Sequence, residues 1–204
     1  MKTTTMLALA AGLLLSAPLA TVTSAGVADA ASRDVQVRQA TKYYTIRGRT
    51  PAEFASSMSA NGPFSGQHRR RVWATAARTM RYSLERQRRG GLCRVTRARV
   101  NMRIDYTMPR LRSKVSSRSR TRWDQMYGIL NRHEKVHGRY YKELAKQTQA
   151  ALRRLRPARS CATLDRKAAR IVKRLSVKNQ RLNDRFDRTD RKNYRRMERL
   201  YAFR

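Results

Sequence analysis

The 204-residue sequence has few cysteines, few histidines and few acidic residues, and these shortages limit what the protein can be. Two cysteines without a Cys-x-x-Cys pair argue against a structural zinc site, which needs four ligands in close spacing. The apolar run from Met6 to Ala20 is too short and too rich in alanine for a membrane anchor, which needs about 20 strongly apolar residues. Basic segments lack interleaved aromatic residues, so we do not expect nucleic acid as a partner.

The first 30 residues have the features of an export signal. Lys2 supplies a positive charge, the apolar run follows it, and Ala28-Asp29-Ala30 has the small-x-small form of a cleavage site. We therefore expect a periplasmic or secreted protein whose mature chain begins near Ala31 and has no transmembrane segment. Residues 31–204 suffice for a single domain, in which 31–41 would be a flexible lead.

Positive charge dominates the composition. Lysine and arginine total 48 against 13 aspartate and glutamate residues, which gives a formal net charge of +35. Charge of this size attracts polyanions through counterion release. For an exported protein, those would be anionic polymers and lipids of the cell envelope. The basic residues are dispersed along every predicted element, so no single basic stripe separates from the rest, and a merely solvated surface is an equal interpretation.

The segment His133-Glu134-Lys135-Val136-His137 fits the pattern His-Glu-x-x-His. On a helix, residues four apart lie on one face, so both imidazoles can bind the same zinc ion. Glu134 lies beside the first of them and could act as the general base that takes a proton from the attacking water. Only 3 histidines are present in the chain, so a chance match is rare. The alternative is that the three residues decorate a solvated basic helix.

The N-terminal part of the domain predicts a strand followed by a capped helix. Lys42–Arg47 is rich in Tyr, Thr and Ile, which favours a short strand. Thr50-Pro51-Ala52-Glu53 has the N-cap threonine, first-turn proline and glutamate of a capping box, and Asn61-Gly62-Pro63 predicts the end of that helix.

Two long strands over 72–85 and 92–108, joined by a turn at 88–91, are predicted next. In the second strand, Cys93 and Val95 fall on odd positions, whereas the apolar residues from Ala98 onward fall on even ones. A two-residue period cannot keep both sets on one face, so we predict a β-bulge near Thr96-Arg97.

The period becomes helical from about Ser117 to Arg156, and a second helical tract covers about 162–201. These patterns predict an α+β domain with a small antiparallel β-sheet, a short capped helix and two long C-terminal helices. Cys93 and Cys161 are an isolated pair in a protein expected to be exported, so we expect them to form a disulfide; two buried free thiols are the alternative.

The order of these landmarks resembles DUF922, a family of bacterial exported proteins predicted to be secreted zinc-dependent proteases. The resemblance covers roughly residues 43–187, and it implies a zincin-like fold. The matching segments are Tyr44–Thr50, Met58, Asn61-Gly62-Pro63, Cys93, Pro109, Trp123, Leu130, the His-Glu-x-x-His motif, Cys161 and Phe186-Asp187. The family pattern also implies a histidine after the aromatic-Asp pair, but this chain has none after His137.

A catalytic zinc needs a third protein ligand, and four residues are candidates. Asp187 is the preferred one and Asp190 is the alternative, since both lie on a separate helix that could pack beside the motif; ion pairs with neighbouring arginines would be the ordinary use of either. Glu143 has the spacing of the third ligand in metzincins, but an unbroken helix would direct it away from the histidines. His68 lies in a predicted loop, where we expect a solvated side chain.

Tyr140 and Tyr141 follow the motif and could offer a hydroxyl to an oxyanion or substrate, although packing is the commoner use of such residues. The leading hypothesis is a zinc peptidase in which His133, His137 and an aspartate hold the metal and peptide or protein is the substrate. The second hypothesis is a non-catalytic, strongly cationic envelope protein that binds anionic surface polymers. The two differ in whether the purified chain contains zinc.

Overall fold

The computed structural model describes residues 34–66 and 69–202. The expected export signal and His68 lie outside the described residues. The elements in chain order are β1 (Val35–Ile46), α1 (Pro51–Asn61), β2 (Phe64–Ser65), β3 (Arg70–Arg71), β4 (Thr75–Arg89), β5 (Leu92–Leu111), α2 (Ser117–Arg153), α3 (Cys161–Thr189) and α4 (Arg191–Ala202). The predicted α+β class, with a small sheet, a short capped helix and long C-terminal helices, is confirmed.

The main sheet has three strands in the order β1-β5-β4, so the long strand β5 lies at its centre. Strands β4 and β5 form an antiparallel hairpin, whose turn contains Gly90 and Gly91 at φ values of 57° and 72°. These left-handed values favour glycine because a Cβ atom would be strained there. As predicted from the alternating pattern, Cys93 and Ala98 are both buried, and a register shift separates them. Thr96 is the extra residue, so the predicted bulge is confirmed.

Strand β1 corrects two expectations. It pairs with β5 in parallel, from Val35 beside Val100 to Ile46 beside Leu111, so the sheet is mixed rather than wholly antiparallel. It also begins at Val35, inside the segment 31–41 that was expected to be a flexible lead. Most side chains of β1 are exposed, and the backbone hydrogen bonds to β5 hold the strand in place. A sequence pattern based on burial cannot detect a strand of this kind.

The capping box at the start of α1 is confirmed. Thr50 is the N-cap, its hydroxyl accepts from the Glu53 N–H, and the Glu53 carboxylate accepts from the Arg49 N–H at 2.7 Å. The helix buries Phe54 and Met58 and ends at Asn61, as predicted.

Helix α2 crosses the sheet and places the motif against it. Its 37 residues correspond to about 55 Å of helix, and its buried face shares one core with the inward side chains of β5. Gly138 permits the close approach, because a Cβ atom there would lie 1.9 Å from the Tyr106 hydroxyl. No helix among residues 34–66 and 69–202 is long and apolar enough to cross a membrane.

The C-terminal tract is divided into two helices at Asp190, where one continuous helix was expected. The Cys93–Cys161 disulfide joins β5 to the first turn of α3, which confirms the predicted pairing. A two-way backbone pairing between Cys93 and Ala158 holds the loop before α3 against the same strand. Helix α3 therefore returns antiparallel along α2, and its far end reaches the motif.

Candidate metal centre

The motif residues His133, Glu134 and His137 are buried on α2, although the helix as a whole is rich in basic residues. They face the end of α3 and the start of α4, which contribute Asp187 and Asp190. Phe186 packs on the ring of His133, with ring centroids 4.8 Å apart, and so closes one side of the group. Two segments about fifty residues apart thus form one cluster.

Three ligand atoms point at a common centre. The Nε2 atoms of His133 and His137 are 3.1 Å apart, and Asp187 Oδ1 lies 3.2 Å from the first and 3.0 Å from the second. Tetrahedral zinc with bonds near 2.1 Å would separate its ligand atoms by about 3.4 Å. These three residues also form the one group of possible metal ligands found among the described residues. The donor set of two imidazoles and one carboxylate suits zinc with an open fourth position.

The opposite ring nitrogens are each held by a separate acceptor. His133 Nδ1 lies 2.7 Å from Asp190 Oδ2, and His137 Nδ1 lies 2.6 Å from Asn183 Oδ1. Histidines that bind metals commonly donate their second N–H to such a partner, which fixes the ring and directs the free lone pair at the ion. Asp190 therefore lies where a partner that orients His133 would lie, whereas Asp187 lies with the two Nε2 atoms in the group that could hold a metal ion.

The orientation of Asn183 fixes the proton on His137. Its amide nitrogen donates to the Asn179 backbone carbonyl at 2.8 Å, so its oxygen must face the histidine. An amide oxygen can only accept, so Nδ1 of His137 must carry a proton, and in the neutral imidazole Nε2 then carries the lone pair. Asn179 in turn donates to the Tyr140 carbonyl on α2 at 2.9 Å. This chain of amides links α3 to the motif helix.

The ionisation of the cluster follows from the same contacts. Burial alone would lower the pKa values of His133 and His137, but hydrogen bonds to Asp187, Asp190 and Asn183 outweigh it, so both pKa values are raised. Burial alone would raise the pKa of Asp187, yet the two imidazoles hold it well below its usual range. In the absence of a metal, the aspartate and the histidines thus favour each other's charged forms.

Glu134 is 6% exposed and lies beside both histidines without joining the ligand group. Burial raises the pKa of Glu134, and the opposing effects of the two histidines and of a hydrogen bond from the Ala76 backbone do not fully offset it. A carboxylate with a raised pKa at a polar cleft suits a general base, because its pKa is then closer to the neutral pH at which it would accept a proton.

An open cleft exposes the cluster on one side. Its walls are residues 70–76 before and at the start of β4, the motif face of α2, and the facing sides of α3 and α4. Tyr141 lines this cleft, but its hydroxyl donates to the Ala76 carbonyl at 3.1 Å. Tyr140 lies outside the cleft and stands beside Phe186 at a ring separation of 6.1 Å. Of the two predicted tyrosines, only Tyr141 is thus close to the site.

Sequence reasoning missed Tyr194 and Asn183, and it named Phe186 only as part of the family's aromatic-Asp pair. Tyr194 lines the cleft, with its ring centroid 5.6 Å from that of His133, and partial burial raises its pKa to about 12. The tyrosine and the phenylalanine lie on a helical tract too rich in charge to show a site pattern, and Asn183 could have been found only as a polar residue on the apolar side of that tract. Glu143, the metzincin-spaced candidate, is exposed and accepts from Gln147 at 3.0 Å, because α2 continues unbroken.

Comparison with known proteins identifies the family. A model of DUF922, described as a bacterial protein of unknown function, matches residues 41–193. The chain belongs to the DUF922 family. The DUF922 match contains His133, Glu134, His137, Asp187 and Asp190, so the whole cluster lies within the family domain. No curated protein and no solved structure gives a significant match to the chain.

Proposed function

We propose that this DUF922 protein is an exported zinc-dependent hydrolase that cleaves peptide bonds. The observation that carries the proposal is the convergence of two Nε2 atoms and one carboxylate oxygen within 3.0–3.2 Å of one another, with both Nδ1 atoms held by acceptors. Histidines that serve only to pack have no need of this arrangement. The disulfide between Cys93 and Cys161 supports export, because such bonds persist in oxidising compartments.

His133, His137 and Asp187 would hold the ion and leave one position open. A zinc ion held in this way acts as a Lewis acid on a carbonyl and makes a water molecule acidic enough to attack at neutral pH. Glu134 accepts the proton of the attacking water and passes it to the leaving amine. Asp190 and Asn183 keep the imidazoles in the tautomer that binds metal, and so they act as positioning residues.

The substrate would lie along β4. This strand is at an edge of the main sheet, and residues 70–76 line the cleft. The backbone of Ala76 faces the centre, since its carbonyl accepts from the Tyr141 hydroxyl and its N–H donates to the Glu134 carboxylate. An exposed strand edge offers N–H and C=O groups with which an extended peptide can pair. A peptide paired there would bring a carbonyl close to Glu134.

Tyr194 is the residue we assign to the developing oxyanion. Its side chain is 45% exposed at the cleft, faces His133 and, with its pKa raised to about 12, stays protonated as a hydrogen-bond donor at neutral pH. Tyr194→Phe should lower kcat about ten- to a hundredfold with unchanged zinc content, whereas Tyr140→Phe, outside the cleft, should have little effect.

Metal analysis and peptidase assays on Glu134→Gln test the proposal. The purified chain should contain about one zinc per molecule and should cleave an unfolded protein substrate. Glu134→Gln should retain the zinc and lose at least about a thousandfold in kcat, because the ligands remain while the base is lost. Glu143→Gln is the matched control, since Glu143 is an exposed carboxylate on the same helix.

Two results would contradict the proposal. A chain that binds no zinc when supplied with it would leave the motif without a catalytic role and favour a non-catalytic cationic protein. Equal activity in Glu134→Gln and Glu143→Gln would show that hydrolysis, if present, uses a different base.

A further inference from the structure

Helix α3 has an outer face on which the exposed charges have one sign. All eight of its exposed charged side chains are basic, and together we call them the α3 ridge. The ridge consists of Arg166, Arg170, Lys173, Arg174, Lys178, Arg181, Arg185 and Arg188. They recur at three- and four-residue steps and therefore form a stripe along one side of the helix. From the first to the last, the stripe extends for about 33 Å.

The acidic residues of α3 are fewer and less exposed than the basic ones, and each has a partner. Asp165 pairs with Arg86, Asp184 accepts from Gln180, and Asp187 belongs to the metal centre. On the sheet, some exposed arginines have acidic partners, as in Arg99–Glu85 and Arg103–Asp105. The charge is dispersed along the sequence, yet folding collects eight exposed basic side chains on one face of α3, where Asp184 is the acidic neighbour. Like charges four residues apart destabilise a helix by roughly 0.2–0.5 kcal/mol per pair, so such a face is an unfavourable one unless it is used.

We propose that the α3 ridge binds a linear phosphate polymer. Six of its eight cations are arginines, whose planar guanidinium groups bind phosphate oxygens in pairs. The ridge is narrow, since it is only one helix wide, and it is long. This shape matches a single extended polymer chain. Its exposed apolar side chains of large size are Val177 and Leu182, which stand singly, because most of the apolar side of α3 packs on α2.

These features argue against two other anionic partners. A helix that binds a lipid surface needs an apolar face to insert, and that face of α3 is already covered. Single-stranded nucleic acid is bound through aromatic residues on which bases stack, and the ridge has none. A polymer that carries its charge without bases or acyl chains fits better.

The ridge ends at the cleft. Arg188 belongs to the ridge and also lines the cleft beside Asp187 and Asp190. A polymer bound along α3 would therefore hold the candidate metal centre close to its own surface, at the end of the ridge. The proposal does not depend on catalysis, because the ridge residues other than Arg188 lie outside the cleft.

The test compares two variants of equal net charge, each with four substitutions. The ridge variant has four arginines changed to glutamine, which removes half of the ridge: Arg170, Arg174, Arg181 and Arg185. The control variant has four exposed arginines of α2 changed to glutamine: Arg118, Arg120, Arg139 and Arg153. Binding of long-chain inorganic polyphosphate is measured by titration at several salt concentrations. The ridge variant should lose at least about tenfold in affinity near 0.1 M salt, with a salt slope lower by about 3. The control should lose less than about threefold.

Equal losses of affinity for polyphosphate in both variants would overturn the proposal, since binding would then follow net charge alone. Tighter binding of anionic vesicles or of duplex DNA than of polyphosphate at matched phosphate, with the same dependence on the ridge, would also overturn it in favour of those partners. Glu134→Gln should bind polyphosphate like the unaltered protein, so failure of the hydrolase proposal and failure of this one are distinguishable.

Discussion

At the scale of single residues, two aspartates contact different nitrogen atoms of the histidines in the candidate metal centre. Asp187 meets the Nε2 atoms and Asp190 meets an Nδ1 atom, although the two aspartates are three residues apart on one tract. Asn193 donates to Asp190 at 2.6 Å and keeps its carboxylate turned toward His133. The break between α3 and α4 at Asp190 places these two groups on different sides of the histidines.

We expect the two aspartates to differ in their effect on zinc binding. Asp187→Ala should leave the chain unable to retain zinc after desalting, because two imidazoles alone hold the ion weakly. Asp190→Ala should keep the metal but with an affinity about 10 to 100 times lower, as is usual for orienting partners. Competition with a chelator of known affinity measures both effects. Asp165→Asn, on the same helix but paired with Arg86, is the control. The reverse ranking of the two alanine variants would exchange the assigned roles.

Sequence reasoning found the residues that could bind a metal ion but not those that would orient them. His133, Glu134 and His137 could be found because their chemistry requires a fixed local spacing on one helix. Asp187 was preferred over Asp190, but both lie on the same predicted helix and no local pattern separates them. Asn183 and Asn179 act through hydrogen bonds to partners about forty residues away, and no local pattern marks them. A role that depends on tertiary contact is visible only once the helices are packed.

At the scale of elements, local signals predicted the structure well and distant pairing did not. The capping box of α1 and the bulge at Thr96 follow from neighbours within a few residues, and both were predicted. Strand β1 lies some sixty residues from β5 in the sequence, and no hairpin turn fixes their direction. Its parallel pairing therefore could not be predicted from periodicity or turn chemistry.

The contact of Gly138 with Tyr106 provides a test of how α2 is placed on the sheet. Gly138→Ala should lower the free energy of unfolding by about 1–3 kcal/mol, because the new Cβ atom would lie 1.9 Å from a hydroxyl that itself donates to Gln39. Gly128→Ala in the same helix meets only the end of Arg132 at 3.4 Å, so it should be neutral or stabilise by up to about 1 kcal/mol. Urea unfolding measures both.

The double variant Gly138→Ala with Tyr106→Phe separates this contact from helix propensity. Removal of the hydroxyl should recover part of the lost stability, although the Cζ atom still lies 3.0 Å from the new methyl group. Equal stability of the two glycine variants would show that α2 can move away from β5 at no cost.

At the scale of the whole molecule, a net charge of +35 means that the fold must hold mutually repelling side chains together. The sheet relieves part of this repulsion through pairs such as Arg97–Asp34, in which the aspartate is buried. On the α3 ridge, eight exposed basic side chains have Asp184 as the one acidic residue on their helix face. Repulsion is therefore concentrated where counter-ions or a polyanion can approach from solvent.

The stability of this protein should consequently rise with salt. Sodium chloride screens exposed charges beyond about 10 Å at 0.1 M, so the melting temperature should increase by several degrees between 20 and 300 mM. The four-arginine ridge variant should be more stable than the unaltered protein at 20 mM by roughly 1 kcal/mol, since it removes like-charge pairs four residues apart such as Arg170–Arg174 and Arg181–Arg185. The α2 control, whose four arginines are not spaced three or four apart, should gain less. A melting temperature that falls with salt would mean that ion pairs such as Arg99–Glu85 outweigh the repulsion. Repulsion within the ridge would then not destabilise the protein, and its neutralisation by a bound polymer would not stabilise it.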